Sequence, residues 1–240
     1  MYEALVAAVA VLAGAIASVA GFGIGSLLTP VLSVSVGTRL AVALVSIPHL
    51  VGTALRLWRL RAHLDRRVLL GFGIASAAGG LVGAFFFSRA GSPTLALVFG
   101  LLLILAGTSE ITGLARRVEL RGPAAWVAGG VSGLFGGMVG NQGGIRSAAL
   151  LGFHLPRHAF VATATATALF VDLARMPIYF AVEGRAIVAE WPLLVLTVVG
   201  VVAGTLAGER VLSRIPEPIF RRVVAALIIA LGVYMVSRGV

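Results

Sequence analysis

The chain contains no cysteine, which excludes disulfides, thiolate metal sites and cysteine nucleophiles. It contains no lysine either, so all 19 basic side chains are arginine. Charge of either sign is scarce: 12% of the 240 residues are charged, against roughly 25% in a soluble domain. No long polar segment interrupts the sequence, which argues against an appended soluble domain. The first apolar run has no clear cleavage site and leads into further apolar sequence, so it does not read as a removable signal peptide. No Ser/His/Asp arrangement or carboxylate pair supports an enzyme. No glycine cluster has the spacing of a nucleotide-binding loop, and no cofactor is expected.

What is abundant is apolar surface and glycine: 59% of residues are hydrophobic, 31 are glycine, and the mean hydropathy is +1.05. Apolar runs of about 20 residues recur along the length, enough to cross a ~30 Å hydrocarbon core as helices. The expected fold class is an all-α polytopic membrane protein with about eight hydrophobic segments. A net charge of +10 would point to nucleic acid in a soluble chain. Here the arginines lie mostly at the ends of apolar runs, where they set topology. Membrane lipids, and no nucleic acid, are the expected surroundings.

Six spans read cleanly, near 39–57, 68–88, 93–115, 159–180, 191–213 and 218–237. Two stretches, 4–36 and 124–154, are too long for one straight crossing and are broken by "GFGIGS" (21–26) and "GNQGGIRS" (140–147). Such glycine clusters permit unwound backbone, tolerated at membrane depth only in a protein-lined or watered cavity. The halves match: Gly21–Gly25 lies over Gly140–Gly144 at an offset of 119, and Pro93 over Pro218 at 125. Gly79, Gly83 and Gly107 fall on Gly204, Gly208 and Gly232. The expected organisation is one membrane domain of two homologous repeats, 1–120 and 121–240, as transporters often have.

A conventional eight-span topology puts ten Arg on one side and seven on the other. If 4–36 and 124–154 are re-entrant hairpins, each half has three crossings and the second half is inverted. The loops at 56–67, 116–121, 157 and 210–222 then share a side with thirteen Arg, against four at 39, 89, 185 and 238. The positive-inside rule favours this inverted arrangement, with both termini outside. It would bring both tips toward the membrane midplane, with helix N-termini aimed into a shared cavity. The tip residues Gly23, Gly25, Ser26, Asn141, Gln142, Gly143, Gly144, Arg146 and Ser147 are thus candidate anion ligands. Arg146 either grips an oxyanion bidentately or clamps Asp172 or free carbonyls.

In "TATATALFVDLARMPIYF", helical spacing puts Thr165, Asp172, Arg175 and Tyr179 within an arc of about 80°. Asp172 and Arg175 are three apart and can pair. Arg175 is either a second substrate cation, with Asp172 orienting it or coupling a proton, or half of a structural ion pair. Pro177 should leave the Leu173 carbonyl free and kink the helix. The matching first-half positions are Ala54 and Leu57, so the polar machinery is concentrated in the second half. His49, over Thr167, is a proton carrier facing the cavity or a satisfied structural histidine. His154 and His158 lack a third ligand nearby in sequence, so no metal site is expected.

"GFGIGSLLTPVL" resembles the glycine-rich, proline-ended signature of the sulfite exporter TauE/SafE family of membrane permeases. "SGLFGGMVGNQGGIRSAALLGF" and "AFVATATATALFVDLARMPIYF" resemble its repeated counterpart, and "FRRVVAALIIALGVYMV" is also similar. The resemblance spans essentially the whole chain and implies a multi-pass carrier of the bacterial plasma (inner) membrane for sulfite, organosulfonates or similar anions. It carries site roles onto Gly21–Gly25, Gly140–Gly144, Asn141, Gln142, Arg146, Asp172 and Arg175. Ile24 departs from a commoner glycine run, and Asn141–Gln142 makes the second tip unusually polar. The expected function is a secondary transporter, an exporter, of a small sulfur-containing oxyanion by alternating access. Its expected partners are that anion and a coupling proton or ion, and self-association would give a homodimer. The alternatives are a cation or metal exporter, in which Asp172 and the histidines matter, and a non-transporting membrane assembly or sensor protein.

Overall fold

In a medium without water, a backbone must pair its N–H and C=O groups within its own segment, and each apolar run accordingly coils into a helix. The computed structural model describes residues 1–114, 120, 122–212 and 215–239, the side chains of Glu209, Val211 and Glu217 excepted. Among these residues there is no strand. The helices are α1 (Tyr2–Ala20), α2 (Ile24–Leu60), α3 (Arg66–Arg89, with a π-helical turn at Leu69–Gly73) and α4 (Ser92–Thr112). They continue as α5 (Pro123–Val139), α6 (Gly143–Leu151), α7 (Arg157–Ala189), α8 (Trp191–Leu212) and α9 (Glu217–Gly239). Seven of the described helices are long and apolar enough to cross a membrane, and α5 is a shorter apolar helix.

Boundaries depart from the sequence reading where glycine or proline meets helical hydrogen bonding. The expected span 39–57 is the second part of α2, which bends at Gly37 (φ 76°, ψ 158°). The expected 159–180 span lies within a 33-residue helix that stays helical through Pro177. Helices resume after the tips at Ile24 and Gly143, two to three residues before the expected Ser26 and Arg146. Arg56 is a correction. Counted above among the loop arginines, it lies within α2 and is 5% exposed. The loop arginines Arg116, Arg117, Arg121 and Arg214, and the C-terminal Val240, lie outside the described residues.

Side-chain contacts show which segments run side by side. The Tyr2 hydroxyl reaches the Val31 carbonyl (3.2 Å) and Ser35 Oγ (2.6 Å), so α1 and residues 24–36 are antiparallel. Past Gly37 the chain runs back, and Arg56 Nη1 donates to the Ala17 carbonyl at 2.5 Å. In the second half, the end of α6 returns to the start of α5, where a Cβ on Gly152 would fall 1.7 Å from the Leu120 carbonyl oxygen. At one end of the molecule, Arg39 bonds Glu183 (2.6 Å) and the Ala90 carbonyl (3.1 Å), close to where Gly239 meets Pro93. At the other end, His63 stacks on His158 (5.2 Å), and the Asp65 N–H donates to Thr163 (3.2 Å).

The major helix pairs are α1 on α8, α3 on α5, α4 on α9, α3 on α7 and α2 on α7. Small residues let these backbones touch. A Cβ on Gly204 would lie 2.0 Å from the Val11 carbonyl oxygen, and one on Gly79 would lie 2.0 Å from that of Gly130.

Candidate functional site

The two glycine tips meet in the buried interior. Gly21 ends α1 and Gly140 ends α5 in the left-handed conformation (φ 79° and 76°), each N–H closing onto the carbonyl four residues earlier. That conformation costs an L-residue with a Cβ about 1–2 kcal/mol, so glycine fits there. Two residues further on, each chain re-enters a helix at Gly23 (φ 133°) or Gln142, and neither helix start has a side-chain cap. The tips touch: a Cβ on Gly25 would lie 2.7 Å from the Gly140 carbonyl oxygen, and one on Gly143 would lie 2.7 Å from Phe22 Cβ. Two helix N-termini, whose first N–H groups have no intrahelical acceptor, therefore start side by side.

Buried cations surround this junction. Arg56 and Arg146 both reach the C-terminal end of α1, where exposed carbonyls carry partial negative charge. Arg56 Nη1 holds the Ala17 carbonyl, and its Nη2 lies 3.5 Å from Thr53 Oγ1. Arg146, 3% exposed, makes only a long 3.4 Å contact from Nη2 to the Gly21 carbonyl. Its Nε has no partner among the described residues, and neither do Asn141 Nδ2 and Gln142 Oε1. Asn141 and Gln142 are both buried, and the Gln142 backbone carbonyl accepts from Ser132 Oγ (3.2 Å). The Gln142 side chain lies against Gly136, where a Cβ would approach its Cδ to 2.8 Å. Ser26 is buried in the first turn of α2, Gly144 meets Ala106, and Ser147 is half-buried on α6. A cavity of about 190 Å³ opens onto this junction, lined by Asn141, Gln142, Gly144 and Ile145 and walled by Leu102 and Ala106 of α4.

The second cluster sits on α7. Asp172, wholly buried, is 2.8 Å from Arg175 Nη2 and 2.7 Å from His49 Nδ1 on α2. Arg175 Nη1 donates to the Gly136 carbonyl (3.0 Å), and the Tyr179 hydroxyl donates to that of Gly137 (2.7 Å). Both bonds fall in the last turn of α5, just before the second tip. Arg175 Nη1 also lies where a Cβ on Gly140 would come within 2.9 Å of it. The structure thus brings His49, Asp172, Arg175 and Tyr179 together and ties them to the Asn141 tip. Arg146 does not pair with Asp172. Thr165 is buried on the same helix but donates to its own turn, at the Val161 carbonyl (2.7 Å). Among the described residues, no three of His, Asp and Glu gather as metal ligands.

Sequence reasoning missed Arg56. The signal was present, since His49, Gly52, Thr53 and Arg56 recur at helical spacing on one face. The Arg39–Glu183 bridge was also missed, because its partners are 144 residues apart.

The number, length and apolarity of these helices make this a multi-pass membrane protein. The profile of the sulfite exporter TauE/SafE family matches residues 6–235, and the chain belongs to that family, whose members are membrane permeases and transporters rather than enzymes. No curated protein and no solved structure matches the chain.

Proposed function

We propose that the protein exports a small sulfur-containing oxyanion, sulfite or an organosulfonate, across a bacterial inner membrane by secondary transport. The anion binds where the two tips meet, against the uncapped N-termini of α2 and α6 and the Arg146 guanidinium. One observation carries this reading: Arg146 is 3% exposed yet makes only a single 3.4 Å hydrogen bond among the described residues. A buried charge without a partner costs several kcal/mol, and an oxyanion at this junction would supply the partner, with two parallel hydrogen bonds. Asn141 Nδ2, buried and unpartnered, adds a further donor.

The two repeats, 1–120 and 121–240, are inverted relative to each other, each with a re-entrant hairpin and three crossings. Reciprocal packing supports this. Gly79 meets Gly130 as Gly204 meets Val11, and Gly83 meets Leu134 as Gly208 meets Ala15. Val11 and Ala15 lie 119 residues before Gly130 and Leu134, the offset that aligns the tips. Swapping the halves therefore preserves the contacts. Rocking of one repeat against the other would expose the shared tip junction to each face in turn.

The test is flux in proteoliposomes with Arg146→Ala. Sulfite or sulfonate flux should fall at least tenfold, by analogy with loss of one charge-assisted contact worth about 1.5–3 kcal/mol. Anion-dependent thermal stabilisation should disappear with it. An unchanged flux would remove Arg146 from the anion site.

A further inference from the structure

The sequence singles out His49 and Asp172 separately, one in each half, and the fold joins them 2.7 Å apart across α2 and α7. We propose that this pair is a proton-binding site, taking up one proton as the anion binds at the tips, so that anion and proton cross together and the anion's own outward gradient drives export. The proposal rests on the anion-transport reading above.

Asp172 is held between a guanidinium and an imidazole, with no exposed surface. Next to Arg175 it is an ionised carboxylate, which can only accept. His49 Nδ1 therefore carries the hydrogen that it shares with Asp172 Oδ2, and Nε2 is the atom free to gain one. Protonation at Nε2 forms one N–H bond, turns imidazole into imidazolium and leaves the Asp172 carboxylate unchanged. The His49 side chain is 12% exposed where Asp172 is fully enclosed, so the proton enters through the histidine.

The charges acting on His49 are Asp172 and Arg175 of α7 and Arg56 of its own helix. Arg146 of α6 acts in turn on Arg56, and Asp172 acts on Arg146. The other helices packed on α2 (α1, α4, α8 and α9) add no further charge to His49 among the described residues. With His49 neutral, Asp172 and Arg175 cancel, and Arg56 and Arg146 leave the interior cationic. A proton added without the anion would raise an already uncompensated charge. An anion at the junction offsets that charge, so anion and proton favour each other's binding, and by linkage the effect is mutual. The physical connection is short: Arg175 contacts Asp172 with one nitrogen and the Gly136 carbonyl, just before the second tip, with the other.

Methanesulfonate is the probe, because it stays ionised across the physiological range whereas sulfite itself titrates there. Its binding to the purified full-length protein is followed by thermal shift at a series of pH values, with proton uptake read in weakly buffered solution. The parent should take up about one proton per bound anion, and its affinity should weaken up to tenfold per unit as pH rises through the histidine range. His49→Asn places an amide N–H where Nδ1–H donates to Asp172, which preserves the hydrogen bond but not the titration. This variant should bind methanesulfonate more weakly at low pH and with no pH dependence; His49→Gln serves as a second variant. Affinity independent of pH in the parent, or an unaltered pH dependence in His49→Asn, would overturn the proton site while leaving anion transport standing. A parent that neither binds nor moves methanesulfonate or sulfite would overturn the transport reading and this proposal together.

Discussion

At the first tip, Gly21 ends α1 and is followed by Phe22, Gly23 and Ile24, none with a polar side chain. At the second, Gly140 ends α5 and is followed by Asn141 and Gln142. The backbone device is the same in both: a left-handed glycine, two linking residues and an uncapped helix start. The side chains differ, and so does the way charge reaches each tip. The first tip is served from outside itself, by Arg56 on the Ala17 carbonyl and by Arg146 of α6 on the Gly21 carbonyl. The second tip carries its own amides and is braced from α7 by Arg175 and Tyr179 on the Gly136 and Gly137 carbonyls. The same backbone geometry thus occurs at both tips while the polar groups around it differ. Backbone N–H groups need only glycine, whereas guanidinium placement needs a neighbouring helix.

The largest loss is expected at the brace of the second tip. Asp172→Asn leaves Arg175 buried without a counter-charge, and we expect a loss of about 3–5 kcal/mol, read as thermal unfolding in detergent. A variant as stable as the parent would mean that the ion pair does not hold the second tip. A smaller effect separates the two roles of glycine within the first tip. Gly25→Ala drives a Cβ to 2.7 Å from the Gly140 carbonyl oxygen, an overpacking cost of about 1–3 kcal/mol. Gly21→Ala meets nothing within 4 Å and should cost only the left-handed backbone, about 1–2 kcal/mol. Flux should suffer more from Gly25→Ala, because only there would the added Cβ press on the other tip; equal flux in both would separate tip contact from transport. The smallest effect is expected at Thr165→Val, whose hydroxyl serves only its own helical turn. Stability should change by less than about 0.5 kcal/mol with flux unaltered, and a large loss of flux would show that Thr165 acts in the site.

Much of the helical layout was legible in the sequence, because apolar length and helical period are local properties of a run. The breaks at Gly21–Gly23 and Gly140–Gln142 were legible for the same reason, since glycine clusters interrupt a run wherever it lies. The arc joining Asp172, Arg175 and Tyr179 followed from one helical period, and in the structure all three face the same neighbours. Thr165 belonged to that arc too, but a threonine in a helix can satisfy itself on its own carbonyl. Arg56 was misread because an arginine near the end of a span looks like a loop charge until the helix is seen to run on to Leu60. His49 could be noticed but not partnered, since its carboxylate lies 123 residues away.

A helical membrane chain of the TauE/SafE family, the points where its helices end and the few polar side chains inside it are all properties of the sequence. These follow from composition, periodicity and motif, which need no knowledge of the neighbours. That the tips touch, that Arg146 lies against Gly21 and not Asp172, and that His49 completes the Asp172 cluster comes from the folded chain. Each of those contacts joins residues more than a hundred positions apart. Such a contact depends on which helix faces come together, and backbone approach at small residues sets that.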